Sequence, residues 1–274
     1  MHTYYSDGVL SPAALVQEAA GRQLAAIAVT DHDTTDGTAE AMAEGVRLGL
    51  EVIPGVEFST VAESCDIHIL GLFIRPESEV LKSALALQLK AREARNRESV
   101  EKIRKAGFYI SDRELAAAET GGILTRGRIG SILTARGYAP DSRTAVRSFL
   151  SYGSLGYVQL KVPEPAQAVE VIHRAGGLAL VAHLNQIDKY DRGHSLALCR
   201  RVLAEGADGL ETLHASFDAG WLEAAEQIAR ETGCLRSGGS DFHQYQKNGS
   251  EPGIGRGNLR IPYEFVESMR EKLK

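Results

Sequence analysis

The chain has 274 residues, 43% of them apolar, and a formal net charge of -5 at pH 7. This length and composition exclude a disordered polypeptide and suffice for one large α/β domain or a domain with an insertion. Three cysteines without a CxxC pair argue against a disulfide framework and a thiolate zinc site. No apolar run approaches the ~20 residues of a membrane span and no signal peptide opens the chain, so we expect a cytoplasmic protein without a membrane partner.

The charge is unevenly distributed. Residues 77–157 contain 14 basic and 9 acidic residues, whereas the rest of the chain contains 17 basic and 27 acidic residues. An acidic body with a basic segment is typical of a cation-binding site that faces an anionic substrate. Ordinary solvated surface is the alternative interpretation.

The first 76 residues alternate amphipathic helices with apolar strands. Ser11 as N-cap and Pro12 at the first helical position predict the first helix. The apolar segment 25–30 predicts a strand that is covered on both faces. We further expect a helix at 37–48 that ends at Gly49, and strands near 51–56 and 67–73.

No strand is predicted between residues 77 and 157. A long charged helix is expected at about 77–106, and Ser111 and Glu114 form a capping box for another helix. We therefore predict an inserted helical subdomain at 77–157, between the two parts of a metal-binding barrel at 1–76 and 158–274.

The alternation of helix and strand resumes after the insertion. We expect helices at 165–175, 195–204, 219–232 and 263–273, and strands at 178–182, 209–213 and 235–238. Six strands that alternate with helices predict a parallel sheet, either open or closed into a barrel.

Polar side chains lie at the carboxyl ends of the predicted strands, where sites form in parallel α/β proteins. A lone strand histidine is more often a core residue, but several separate strand ends offer His, Asp or Glu. Imidazole and carboxylate together suit Zn, Mn or Fe. The pattern predicts a multi-metal hydrolase in which a bridging hydroxide attacks phosphorus. The residues are Asp31, His32, Asp33, Glu57, His183, Glu211, His214, Asp241 and His243, with His68 inside a strand and His2 near the N-terminus.

Six segments occur in the order found in one known family. The chain resembles the PHP (polymerase and histidinol phosphatase) phosphoesterases, and most closely those that carry a helical insertion and act on nucleotide or oligonucleotide phosphates. The likeness covers nearly the whole chain. The segments are 2–8 (HTYYSDG), 29–33 (VTDHD), 54–57 (PGVE), 66–71 (DIHILG), 181–183 (VAH) and 239–243 (GSDFH).

The resemblance implies a distorted seven-stranded (β/α) barrel with two or three divalent ions, usually Mn, Fe or Zn. By motif, His2 and Asp241 would bind one ion and Glu57 would bridge to a second. His68 and His183 would complete the second site. The third ion would be held by Asp7, His32 and His243.

The sequence departs from the family pattern at two places, the N-terminal motif and the residue after His183. His2 corresponds to the second histidine of an Asp-x-His-x-His motif, so the first histidine and its strand are missing from this sequence. We expect a truncated first strand, with Met1 an internal methionine of a longer chain; the alternative is a protein that lacks one ligand and one barrel strand. Leu184 stands where a proline usually follows the histidine.

Arginines and one further histidine are candidates for substrate contact. Arg126 and Arg128 begin a helix, where they can bind phosphate, and Arg128 replaces a histidine of the relatives. His214 can orient substrate or donate a proton, and we count it with Asp241 and His243 as catalytic. We expect Arg92, Arg95 and Arg97 to face solvent, and His173 and His194 to be structural.

These residues favour hydrolysis of a phosphomonoester on a nucleotide-like substrate, such as a 3',5'-bisphosphonucleotide, by a metal-bound hydroxide. The alternative enzyme is a 5'-3' exoribonuclease on short RNA oligonucleotides. The alternative of another class is a degenerate, non-catalytic PHP binding module. A nucleotide or short oligonucleotide phosphate is the expected partner, and no obligate protein partner is predicted.

Overall fold

The computed structural model describes residues 1–119, 124–245 and 249–274. Within them, six strands form one curled sheet, and each strand pairs with its neighbours in chain order. The strands are β1 (Ala26–Val29), β2 (Glu51–Ala62), β3 (Cys65–Leu72), β4 (Leu178–Val181), β5 (Gly209–His214) and β6 (Leu235–Gly239). The protein is therefore a mixed α/β structure with a half-barrel sheet.

The expectation of an all-parallel sheet is wrong at β3. This strand runs antiparallel to both β2 and β4, whereas the β1–β2, β4–β5 and β5–β6 pairs are parallel. β2 extends to Ala62, six residues beyond the predicted end, and turns into β3 through Glu63 and Ser64, both with positive φ. A two-residue loop can join only antiparallel strands, because a parallel connection needs a crossover of a dozen or more residues.

Ten α-helices occur in the described part of the chain, close to the predicted positions. Ser11 caps the first helix through its hydroxyl, and Gly49 ends the second with φ 70°. The eighth helix begins three residues earlier than predicted because the Asp191 side chain caps it. The helices are α1 (Pro12–Gly21), α2 (Thr38–Leu48), α3 (Glu79–Lys105), α4 (Asp112–Ala118), α5 (Arg126–Ala135), α6 (Ser142–Phe149), α7 (Pro165–Arg174), α8 (Arg192–Ala204), α9 (Ala219–Thr232) and α10 (Glu264–Lys272).

None of the helices in the described ranges is long and apolar enough to cross a membrane.

The long helix α3 connects two separate cores. Its first half contributes Leu81 and Leu85 to the core beside the sheet. Its second half contributes Val100 and Ile103 to another core, which α5 and α6 complete. We call the part of the chain from α3 to α6 the helical block. The helical block therefore has its own hydrophobic core, while its assignment as an inserted subdomain at 77–157 stays a prediction.

The N-terminal residues lie between the two outer strands of the sheet. The Thr30 amide donates to the Met1 carbonyl at 3.0 Å, and the His2 amide donates to the Phe242 carbonyl at 2.9 Å. His2 is thereby fixed between the end of β1 and the segment that follows β6. The seven-stranded barrel stays a prediction, since six strands are observed in the described residues.

Candidate metal centre

The eight side chains predicted to bind metal lie in one cluster at one end of the sheet. Glu57, in the middle of β2, is at its centre and only 2% exposed. Its Oε1 lies 2.5 Å from His68 Nδ1 and 2.9 Å from His183 Nε2. Its Oε2 lies 3.1 Å from His2 Nε2 and 3.9 Å from His32 Nδ1. One carboxylate thus faces four imidazoles, the arrangement expected of a bridging ligand.

Asp7 forms the centre of a second group on the outer side of the cluster. Its Oδ1 lies 3.3 Å from His243 Nε2 and 3.9 Å from both His2 Nδ1 and His32 Nε2. The His2 and His243 rings stack with centroids 4.0 Å apart. Three imidazoles therefore surround one carboxylate that is 38% exposed.

Asp241 joins the cluster to His214. Asp241 Oδ1 lies 3.1 Å from His2 Nε2, and its Oδ2 lies 3.9 Å from His214 Nε2. His214 is 2% exposed, and its Nδ1 accepts a hydrogen bond from the Ser216 amide. Because Nδ1 is an acceptor, the neutral ring carries its proton on Nε2, the atom that points towards Asp241.

Buried hydrogen bonds hold the N-terminal loop that carries His2 and Asp7. The Asp31 carboxylate accepts from the Thr3 amide at 2.7 Å, and from the Thr3 and Ser6 hydroxyls at 2.6 Å each. A Cβ on Gly8 would lie 2.4 Å from the His2 carbonyl oxygen, so only glycine fits there. Asp31 is therefore a positioning residue, and it does not cap the following helix.

Two residues of the cluster have an uncommon backbone conformation. His183 has φ 22° directly after β4, and Asp241 has φ 49° after β6. Such values are rare in non-glycine residues and are concentrated at functional sites. The His183 amide donates to the Glu211 carboxylate at 2.7 Å, which holds this turn in place.

The electrostatics of the cluster favour added positive charge. Burial alone raises the pKa of Glu57, but the imidazoles of His32 and His68 hold that pKa well below its usual range. Burial lowers the pKa of His243, yet the carboxylates of Asp7 and Asp241 raise it to about 10. His243 thus holds its proton beside ionised carboxylates, and a bound cation can take the place of that proton.

The donor set fits divalent metal ions. Three groups bring three or more ligand atoms within 4.8 Å of one another. Buried ring nitrogens of His2, His32 and His183 have no hydrogen-bond partner among the described residues. Imidazole and carboxylate donors suit first-row divalent metals. The groups are His2, Asp7, His32 and His243; His32, Glu57 and His68; and His2, Glu57 and Asp241.

Comparison with known proteins agrees with this site. The PHP domain matches residues 1–224. The chain belongs to the PHP domain family. The 5'-3' exoribonuclease Rnm of Salmonella typhimurium is 34% identical over 249 residues, which cover 89% of this chain and 83% of the relative.

Two further relatives cover similar lengths. A 3',5'-nucleoside bisphosphate phosphatase of Chromobacterium violaceum is 32% identical over 92% of this chain and 88% of its own. A crystal structure of a Bifidobacterium adolescentis protein assigned to the metal-dependent phosphoesterases has a TM-score of 0.85 at 28% identity, covering 98% of this chain and 93% of that one. The prediction of a metal-dependent phosphoric ester hydrolase of the PHP family is confirmed.

Arginines of the helical block face the PHP metal cluster. A cleft of about 110 Å³ is lined both by Asp7, His32 and His68 and by Arg92, Arg95 and Arg126. The Arg128 guanidinium donates to the Tyr4 carbonyl at 3.2 Å, beside this cleft.

The expectation that Arg92 and Arg95 face solvent is wrong. Arg92 forms an ion pair with the buried Asp33 and donates to Ser59, and Arg95 is only 7% exposed. Both arginines point towards the sheet because α3 packs across it, which a charged helix sequence does not reveal. Arg97, by contrast, is 60% exposed and pairs with Glu93 on the helix surface.

The arginines repel one another in this buried setting. Burial, and then the charges of Arg126 and Arg92, lower the pKa of Arg95 to about 9. Burial likewise lowers the pKa of Arg126. Arg95 Nε is buried without a hydrogen-bond partner in the described part of the chain. An anion in the cleft would satisfy this donor and relieve the repulsion.

Proposed function

We propose that this PHP protein removes a phosphate from a nucleotide-like phosphomonoester, such as a 3',5'-bisphosphonucleotide. The supporting observation is one cleft that is lined both by carboxylate and imidazole side chains of the metal cluster and by three arginines of the helical block. Cationic side chains beside a metal cluster suit a substrate with more than one phosphate, because each anionic group then has a positive partner.

We propose that two or three Mn, Fe or Zn ions bind, divided as the family motif implies. His2 and Asp241 would hold one ion, with Glu57 as the bridge to a second. When bound, such ions make a water acidic enough to attack phosphorus and neutralise charge that develops on the phosphoryl oxygens. The second ion would also be held by His68 and His183, and the third by Asp7, His32 and His243.

His214 is the proposed proton donor to the leaving oxygen. Its Nε2 carries the proton and points into the site, 3.9 Å from Asp241 Oδ2, while Ser216 fixes the tautomer from the opposite side of the ring. A nucleoside hydroxyl is a poor leaving group, so protonation lowers the barrier to its departure.

Arg126 and Arg95 are the proposed phosphate contacts within the cleft. Guanidinium groups bind phosphate oxygens in pairs, which fixes the orientation of the group that reacts. Arg92 is already paired with Asp33 and would position its neighbours. Arg128 lies at the rim and would contact a more distant part of the substrate.

Cleavage of short RNA from the 5' end is the second candidate. The identity to exoribonuclease Rnm and the basic helical block favour it. The three arginines that line one cleft favour the bisphosphonucleotide.

Product analysis distinguishes these substrates. The chelated chain is reconstituted with Mn, and the rate of inorganic phosphate formation from a 3',5'-bisphosphonucleotide is compared with the rate of nucleoside monophosphate formation from 5'-phosphorylated oligonucleotides of increasing length. We expect the higher kcat/KM on the bisphosphonucleotide. A kcat/KM that increases with oligonucleotide length would contradict the phosphatase proposal and support the exoribonuclease.

A further inference from the structure

A second group of potential metal ligands lies away from the PHP metal cluster. Cys65 at the start of β3, Asp188 in the loop before α8 and His194 in the first turn of α8 bring their ligand atoms within 4.8 Å of one another. Cys65 Sγ and Asp188 Oδ2 approach the same ring nitrogen, His194 Nδ1, at 4.0 Å and 3.0 Å.

The other ring nitrogen of His194 has a carboxylate partner. His194 Nε2 lies 3.2 Å from Glu63 Oε2, and Glu63 Oε1 in turn pairs with Arg201 at 3.1 Å. A metal-binding histidine typically donates its second N–H to such a carboxylate, which fixes the ring and the tautomer. With one proton on Nε2, the lone pair of Nδ1 faces the Asp188 carboxylate, so either a second proton or a bound cation separates these two acceptors.

Asp188 is held in position before any ion binds. Its Oδ1 accepts from the amides of Tyr190 and Asp191 at 2.9 and 3.1 Å. Its own amide donates to Ser195 Oγ at 2.9 Å. These bonds leave Oδ2 directed at His194 and the thiol of Cys65, so one carboxylate oxygen is oriented for a ligand.

We propose that Cys65, Asp188 and His194 form a zinc site, with Glu63 as the orienting carboxylate. Tetrahedral zinc with ordinary Zn–S, Zn–N and Zn–O lengths places its ligand atoms about 3.3–3.6 Å apart. The observed 4.0 and 3.0 Å separations reach that range through shifts of a few tenths of an ångström. His194 is 31% exposed, so water can occupy the fourth position. A thiolate with imidazole and carboxylate favours zinc over magnesium or calcium.

The site would connect the β2–β3 hairpin to α8. Cys65 pairs with Ala62 and His68 with Ser59, so three residues of strand, about 10 Å, separate the zinc site from the catalytic cluster. The same hairpin carries Glu57 and His68. Zinc bound at its tip would therefore restrain the strands that hold the catalytic ions.

Cobalt titration of the chelated full-length protein tests the proposal. The catalytic cluster contains no cysteine, so a thiolate-to-cobalt charge-transfer band reports only on Cys65. We expect this band in the wild type and in Glu57→Gln, and its loss in Cys65→Ser and His194→Gln. Cys234→Ser is the matched control, because Cys234 is half-buried directly before β6 and its substitution should leave the band unchanged.

Zinc protection of the unaltered chain provides a second measurement that does not depend on the folding of variants. We expect zinc to slow iodoacetamide alkylation of Cys65, quantified by peptide mass spectrometry, and to leave Cys234 unaffected. No charge-transfer band in the wild type, a band that persists in Cys65→Ser, or equal alkylation of Cys65 with and without zinc would each overturn the proposal. In those cases His194 is an imidazolium paired with Asp188 and Glu63.

Discussion

The metal cluster and the arginine side of the cleft are built from different kinds of element. The metal ligands come from the N-terminal loop, β2, β3 and the ends of β1, β4 and β6, so residues as distant in sequence as His2 and Asp241 lie 3.1 Å apart. Arg92, Arg95 and Arg126 come from two helices of the helical block, which has a core of its own. Metal coordination requires positions accurate to fractions of an ångström, which a hydrogen-bonded sheet provides. Substrate contacts tolerate more variation and are carried by helices.

The two regions also differ in charge. The metal cluster contains buried carboxylates, and the cleft contains arginines of the helical block. The carboxylates of Glu57 and Asp241 have lowered pKa values despite their burial, because imidazoles surround them. Arg95 has a lowered pKa because it is buried beside other arginines. A phosphate placed between metal ions and arginines would balance both regions. Substitutions in the metal cluster should therefore abolish turnover. Substitutions of the arginines in the cleft should lower kcat/KM, because the substrate is oriented less well.

Glu57→Gln should cause the largest loss. The amide keeps the shape but removes the negative charge that faces four imidazoles, so metal binding and turnover fall together. We expect kcat to decrease on the order of 10⁴-fold, as when one member of an interdependent catalytic set is removed. Bound metal per chain, measured by plasma mass spectrometry, should decrease as well. Glu51→Gln, at the start of the same strand and outside the cluster, is the control and should retain both. A Glu57→Gln variant with full metal and activity would contradict the bridging role.

Arg126→Met should reduce kcat/KM by about 10²–10³-fold, the scale of one lost electrostatic contact to the reacting group. Metal content should stay at the wild-type level, because the arginine belongs to the cleft and not to the ion site. Arg97→Met, which removes an exposed arginine of the helical block, should leave kcat/KM nearly unchanged. Equal effects of the two substitutions would show that the cleft does not bind the substrate.

His214→Asn should reduce kcat on a nucleotide substrate by about 10²-fold, at the lower end for a lost general acid. The loss should be much smaller on 4-nitrophenyl phosphate, whose leaving group needs no proton. Ser216→Ala, which removes a hydroxyl contact to the same ring but keeps the amide, serves as the comparison and should have the weaker effect. A loss that is equal on both substrates would assign His214 to positioning.

The smallest expected effect concerns the pH dependence of the chelated protein. The folded-state pKa values of His183 and His243 are raised to about 9 and about 10, because the carboxylates around them outweigh burial. Their stabilisation is fully present below the unfolded pKa of about 6.5 and is lost as pH rises through 9 and 10. The unfolding temperature in EDTA should fall from pH 7 to pH 10.

The metal-loaded protein should lose less stability over that interval, because metal ions replace the protons. His243→Gln should flatten the dependence in EDTA. A chelated wild type with the same unfolding temperature at both pH values would contradict the raised pKa values.

The sequence alone was sufficient to predict the chemistry of the metal cluster. Local signals such as Ser11-Pro12, the Ser111–Glu114 capping box and the apolar strands depend on neighbouring residues, so nearly all helices were predicted to within a few residues. The clustering of Glu57, His183 and Asp241 was predictable because strand ends and motif order identify these residues, while their roles as metal ligands stay a prediction. The pairing of the strands as parallel or antiparallel was not predictable from the sequence. Polar residues in the long β2–β3 hairpin hide where β2 ends and β3 begins.

Only the tertiary structure showed which charged side chains face inward. Arg95 and Arg97 are two positions apart on α3, and yet one is buried in the cleft and the other is exposed. Asp31 and the Cys65, Asp188 and His194 group likewise depend on contacts between segments that are 25 to 129 residues apart. Periodicity and spacing report on the chain within a few residues, whereas these environments arise from packing across the sheet. The residues of the metal cluster could therefore be predicted from the sequence, whereas the side chains that line the cleft could be identified only from the tertiary structure.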